Sequence, residues 1–124
     1  MITIYHNPGC TKSRECLLML EENIASHLSP EALKKAQIKT VRYMDNPLDF
    51  ETLSGIIKKL DILPLALVRK NETIWKEQFK GKTLTDTKII KAMIQYPKLM
   101  ERPIIVRGDK AVIGRPPSRV LEIL

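Results

Sequence analysis

The residues best suited to chemistry stand together near the start of the chain, in Tyr5-His6-Asn7-Pro8-Gly9-Cys10-Thr11-Lys12-Ser13-Arg14. Cys10 follows a Pro-Gly turn and precedes a run with helical spacing, which puts its thiol at a helix N-terminus. A thiol attacks as the thiolate, and its pKa falls from about 8.5 at such a position or beside cations. The unpaired N–H groups of Thr11, Lys12 and Ser13 would point at the sulfur, and the helix dipole adds partial positive charge. Those N–H groups also form a cradle for an anion. Lys12, Arg14 and His6 offer further cationic charge. Cys10 can also be read as a small residue filling a turn; the hydroxyl- and cation-bearing first turn favours the reactive reading.

Other candidates carry competing readings. Cys16 lies about 9 Å along the helix axis from Cys10 and on a rotated face, too far for a disulfide without unwinding, so a core role is expected. A metal site from Cys10, Cys16, His6 and His27 would match no common zinc spacing, and none is expected. His6 could donate to the thiolate or carry charge near it, or could end a strand with no chemical role. Arg102 and Arg115 each precede a proline. A guanidinium is the side chain best shaped to grip a tetrahedral oxyanion through two hydrogen bonds, although each taken alone reads more readily as a solvated surface arginine.

The elements that must hold these groups follow from period and punctuation. Ile2 to His6 is β-rich and ends at Asn-Pro-Gly. Cys16, Leu17, Leu20 and Ile24 recur at helical spacing, predicting a helix from Thr11 to about Asn23. Ser29-Pro30-Glu31 starts a short second helix. Lys39 to Met44 reads as a strand that stops at Asp45-Asn46-Pro47. Asp49 caps a helix over FETLSGIIKKL, Leu63 to Phe79 is loosely helical with a break at Asn71, and Thr85 caps DTKIIKAMIQY. Pro103 to Val106 and Ala111 to Ile113 form a hairpin through Arg107-Gly108-Asp109-Lys110, and a last helix follows Pro116-Pro117. A mixed sheet with helices packed on it is the simplest architecture.

Composition sets the outer limits. A length of 124 residues with 44% hydrophobic and 28% charged side chains fits one globular domain. No apolar run is long enough to span a bilayer and the N-terminus lacks the pattern of a secretory signal, so no membrane association and a cytoplasmic location are expected. The formal charge of +7 is spread over several elements rather than blocked. With few aromatics and no recognisable motif, this argues against nucleic acid as a partner and suits a surface that draws in a small oxyanion.

Three stretches, HNPGCTKSR at the start, RPIIV before the hairpin and IGRPPSRVLEIL at the end, together resemble the glutaredoxin-coupled arsenate reductase family from end to end. The ending is closer to an uncharacterised branch of that family. The resemblance implies an α/β fold, a thioredoxin-like mixed sheet with flanking helices and a helical insertion, in one domain over residues 1–124. It also implies a cis Arg102–Pro103 peptide. The implied activity is oxidoreduction in which Cys10 attacks arsenate and His6 helps keep it ionised. Arg102 and Arg115 match family arginines that hold the oxyanion, and the cradle of Thr11, Lys12, Ser13 and Arg14 completes the substrate site. No bound cofactor is implied. Glutathione would act as co-substrate on the enzyme-bound arsenic and glutaredoxin, as partner, would recycle the mixed disulfide. Ser13 would then occupy the place of a second CxxC cysteine.

Two departures from the family pattern stand out. A substrate arginine four positions before the one matched by Arg69 is replaced by Leu65, and the stretch over about 24–37 is longer than the family's usual turn. The same fold serves Spx-type transcription regulators that bind RNA polymerase, but CTKS lacks their CxxC switch. A thiol-disulfide oxidoreductase on another substrate is the remaining alternative.

Overall fold

The computed structural model describes residues 2–27 and 38–123. Contacts group the chain, which by length reads as one domain, into two compact units: Met1–Tyr43 with Arg102–Leu124, and Met44–Glu101. The helix expected from Ser29-Pro30 lies outside the described residues.

The first unit is built on a four-stranded mixed sheet of β1 (Ile2–Tyr5), β2 (Ile38–Val41), β3 (Ile104–Arg107) and β4 (Lys110–Ile113), in the order β2-β1-β3-β4. β1 runs parallel to β2 and antiparallel to β3, which pairs antiparallel with β4. Alternation sets the register of β1: Ile2 and Ile4 are buried, while Thr3 and Tyr5 are half-buried. A slip of one residue would turn both isoleucines off the core. In the central strand β3, Ile104, Ile105 and Val106 are all buried.

Helix α1 (Thr11–His27) extends one turn beyond the expected end at Asn23. Its Cys16 and Leu20 join Ile2, Ile4, Ile105, Val120 and Ile123 in one apolar cluster. The C-terminal helix expected after the prolines is a 3-10 helix over Pro117–Ile123, packed on α1. Strand β2 stops at Val41 rather than Met44, for a definite reason. Its partner β1 ends at Tyr5 in register with Val41, the His6 N–H takes the Val41 carbonyl at 2.8 Å, and the Asn-Pro-Gly turn then removes any ladder for Arg42 to Met44.

The second unit, the insertion between β2 and β3, contains helices and no strand among its elements. Helix α2 (Phe50–Leu60) begins where Asp49 Oδ1 accepts the Thr52 N–H at 2.7 Å, and it buries Leu53, Ile56 and Ile57. A 3-10 turn (Pro64–Leu67) and α3 (Thr73–Gln78) divide the loosely helical stretch on either side of Asn71. Helix α4 (Asp86–Gln95) starts at the Thr85 cap and packs on α2. The aromatic rings of Trp75, Phe79 and Tyr96 stack in sequence, Trp75 on Phe79 at 5.4 Å and Phe79 edge-on to Tyr96 at 6.1 Å.

Candidate active site

The turn that carries Cys10 is fixed by its own short-range bonds. Asn7 closes it twice: its side-chain Oδ1 accepts the Gly9 N–H and its carbonyl accepts the Cys10 N–H, both at 3.0 Å. This is the local bonding by which Asn favours turns, and Pro8 adds a preset φ. The Cys10 carbonyl then accepts the Arg14 N–H at 3.0 Å, which starts α1. Cys10 is therefore the residue at the helix mouth, and its sulfur faces the free amides of the first turn.

Partial burial pushes the Cys10 thiol up, but three groups together outweigh it: the Ser13 amide N–H, Arg102 through both its charge and a hydrogen bond, and the Lys12 amide N–H. The result is a thiol held below its ordinary value. The cations that the sequence places nearest contribute differently from expectation. Arg14 is turned back over the loop, donating to the Pro8 carbonyl at 2.7 Å and to Thr11 Oγ1 at 3.2 Å. Lys12 pairs with Glu15 at 3.7 Å on the surface, so it reaches Cys10 through its backbone and not its ammonium. The cation at the sulfur comes from Arg102, some ninety positions away along the chain.

His6 is placed behind the loop rather than in front of it. Its Nδ1 lies 2.7 Å from Ser13 Oγ, which also accepts the Asn7 N–H at 3.0 Å. Burial, then the charges of Arg42 and Arg14, hold the imidazole below its ordinary pKa. This disfavours the charged imidazole, and the hydrogen bond the structure gives His6 is to Ser13. The imidazole secures the fully buried Ser13 hydroxyl, and Ser13 presents its amide to Cys10.

Arg102 enters from the start of β3, where the Arg102–Pro103 peptide is cis. Beyond its hydrogen bond to Cys10, its Nε and Nη1 are buried with no hydrogen-bond partner among the described residues. Buried donors left unpaired cost about 1–3 kcal/mol each, and more when charged. Arg115 follows β4, is exposed and precedes a second cis proline, Pro116. Cys10, the Lys12 and Ser13 amides and Arg102 are therefore brought together, with Thr11 at the rim and Arg14 tied to the loop.

Cys16 is fully buried in the apolar cluster, and burial pushes its thiol up to about 11. No group of three potential metal ligands occurs among the described residues. The structure adds two residues with no reactive group of their own, Asn7 in the Cys10 turn and Gly114 beside Cys16 and Pro103. Asn7 was legible as part of Asn-Pro-Gly. Gly114 was not, because its closeness to Cys16 and Pro103 is a contact between distant segments.

Comparison with known proteins gives a consistent assignment. The ArsC family model matches residues 5–123. The Escherichia coli protein YfgD, described as uncharacterized, is 42% identical over 125 residues, covering 99% of this chain and 96% of that one. An arsenate reductase of Haemophilus influenzae is 37% identical, covering 99% of this chain and 98% of its own length. Among solved structures, an arsenate reductase from Vibrio cholerae superposes with a TM-score of 0.84 at 36% identity, covering 99% of this chain and 97% of that one. The mixed sheet with flanking helices is the thioredoxin-like fold of these proteins.

Proposed function

Because this chain belongs to the ArsC family, we propose that it is a thiol-dependent arsenate reductase with Cys10 as nucleophile, working with glutathione and glutaredoxin. The observation that carries the reading is the Arg102 guanidinium. It is set against a thiol of lowered pKa and keeps two buried donors unspent, which an oxyanion at Cys10 would satisfy.

The chemistry balances with thiols alone. The Cys10 thiolate displaces one arsenate oxygen, which leaves as water after taking two protons, and forms a sulfur–arsenic bond. The glutathione thiol displaces a second oxygen, again as water. A glutaredoxin thiolate then attacks the glutathione sulfur, forming a mixed disulfide, and the sulfur–arsenic electron pair passes to arsenic, reducing it from As(V) to As(III). Water releases arsenite and restores Cys10. The Lys12 and Ser13 amides and Arg102 stabilise the charge held on oxygen. Cys16, buried and fully protonated at neutral pH, takes no part.

The test is arsenite formation from arsenate with glutathione and glutaredoxin. Cys10→Ser is expected to abolish turnover while keeping the fold, and Arg102→Ala to lower kcat/KM. The family resemblance implies a further substrate arginine at the position where this chain has Leu65, exposed on the 3-10 turn Pro64–Leu67. One missing charge-assisted contact corresponds to roughly 1.5–3 kcal/mol, or about ten- to 150-fold in kcat/KM, so wild-type turnover should be weak and Leu65→Arg should raise it. A wild-type protein that forms no arsenite in this system contradicts the reading.

A further inference from the structure

The Arg102 guanidinium reaches Cys10 through a hydrogen bond of its own. With Nε and Nη1 unpartnered among the described residues, its approach to Cys10 also depends on the backbone beneath it. The next residue, Pro103, is buried, and its carbonyl accepts the Gly114 N–H at 2.8 Å. That bond continues the β3–β4 pairing one step past the Ile104 and Ile113 rung, to the point where the chain turns toward Cys10.

Gly114 can take this place only because it lacks a side chain. A Cβ there would stand 2.6 Å from Cys16 Sγ, 3.0 Å from Pro103 Cγ and 3.1 Å from Ile105 Cδ1. Its φ is not positive, unlike those of Gly81 and Gly108, so the requirement is for space and not for a left-handed backbone. Cys16 forms the wall on the other side and is wholly buried, with little freedom to retreat. Helix α1 thus carries the reactive thiol at its mouth and, within its second turn, the sulfur that Gly114 packs beside.

We propose that Gly114 is a positioning residue, size-matched to Cys16, whose close contact with Cys16 and Pro103 sets where Arg102 points relative to Cys10. The inference rests on the reading of Cys10 and Arg102 as the reactive pair, and it does not depend on arsenate as the substrate. Any side chain at position 114 must push the β4 end, Pro103 and hence Arg102 away from α1. Shrinking residue 16 should make room again.

The experiment is the pH profile of Cys10 alkylation by iodoacetamide, resolved by peptide mass, with thermal unfolding measured alongside. Gly114→Ala is expected to move the profile to higher pH by more than half of the shift that Arg102→Ala produces. Cys16→Ala combined with Gly114→Ala should return it to the wild-type position. Arg102→Ala combined with Gly114→Ala should shift no further than Arg102→Ala alone, because the two act through one contact. If Gly114→Ala does not fold, Gly114→Val in the Cys16→Ala background overfills the vacated space and should give the same upward shift. Folded Gly114 variants with lowered Tm and an unmoved profile, beside a shifted Arg102→Ala, would overturn the inference and leave Gly114 a packing residue. An unmoved profile in Arg102→Ala would overturn it together with the assignment of Arg102.

Discussion

Cys10 and Cys16 are the two thiols of the chain, and their surroundings give them opposite chemistry. Cys10 has amides and a guanidinium that favour the thiolate, whereas Cys16 is buried in an apolar cluster, and its pKa rises from 9.0 to about 11. Iodoacetamide should therefore label Cys10 well ahead of Cys16 in the native protein, with equal labelling only after unfolding. The linkage signs differ accordingly. Between its folded value and 9.0 the unfolded chain holds more protons at Cys10, so that residue adds stability as pH rises. Between 9.0 and about 11 the folded chain holds more at Cys16, so stability falls as pH rises there. Cys16→Ala should flatten that alkaline decline in a pH series of denaturant midpoints. Ser13 offers a second test at this scale. Removing its hydroxyl strands His6 Nδ1 and the Asn7 N–H. Ser13→Ala should cost about 1–3 kcal/mol in urea unfolding. Ser13→Cys, which keeps a weak donor and acceptor, should cost less. A destabilisation near zero would show that His6 does not need this partner.

At the scale of elements, Thr85 illustrates what local chemistry decides. Its Oγ1 accepts the Lys88 N–H at 3.3 Å and α4 begins at the next residue, as the Thr-Asp start predicts. Thr85→Ala should cost about 0.5–2 kcal/mol without altering Cys10 alkylation, which chemical unfolding and peptide mapping would check. Elements marked by a capping residue or a turn were legible in this way: α2 after Asp49, α4 after Thr85, and the hairpin around Gly108 at φ 58. Ends set by a distant partner were not. Arg42 to Met44 has strand propensity, but pairing stops with β1 at Tyr5. The site divides along the same line. The Cys10 turn could be read from consecutive residues, since its bonds join Asn7, Gly9, Cys10 and Arg14. The lowered pKa of His6, the retreat of Arg14 onto Pro8 and the contact at Gly114 depend on burial and on segments far apart in the chain. A residue's type announces the chemistry it can do; only packing decides which neighbour receives it.

For the whole molecule, family membership runs through both compact units, from residue 5 to 123, so the helical insertion belongs to the inherited architecture. No helix among the described residues is long and apolar enough to cross a membrane. The formal charge of +7 favours encounter with an anion over long range, an effect that salt should weaken. Attraction alone does not distinguish an oxyanion seated at Cys10 from one held loosely on a basic surface. Occupancy of the site itself does, and protection of the thiol reports it. Iodoacetamide modification of Cys10 should be timed with increasing arsenate at constant ionic strength, in the wild-type protein and in Arg102→Ala. Saturable slowing by arsenate in the wild type, lost in Arg102→Ala, is the result expected of an oxyanion bound between the Cys10 cradle and Arg102. An alkylation rate that arsenate leaves unchanged in the wild-type protein would contradict it.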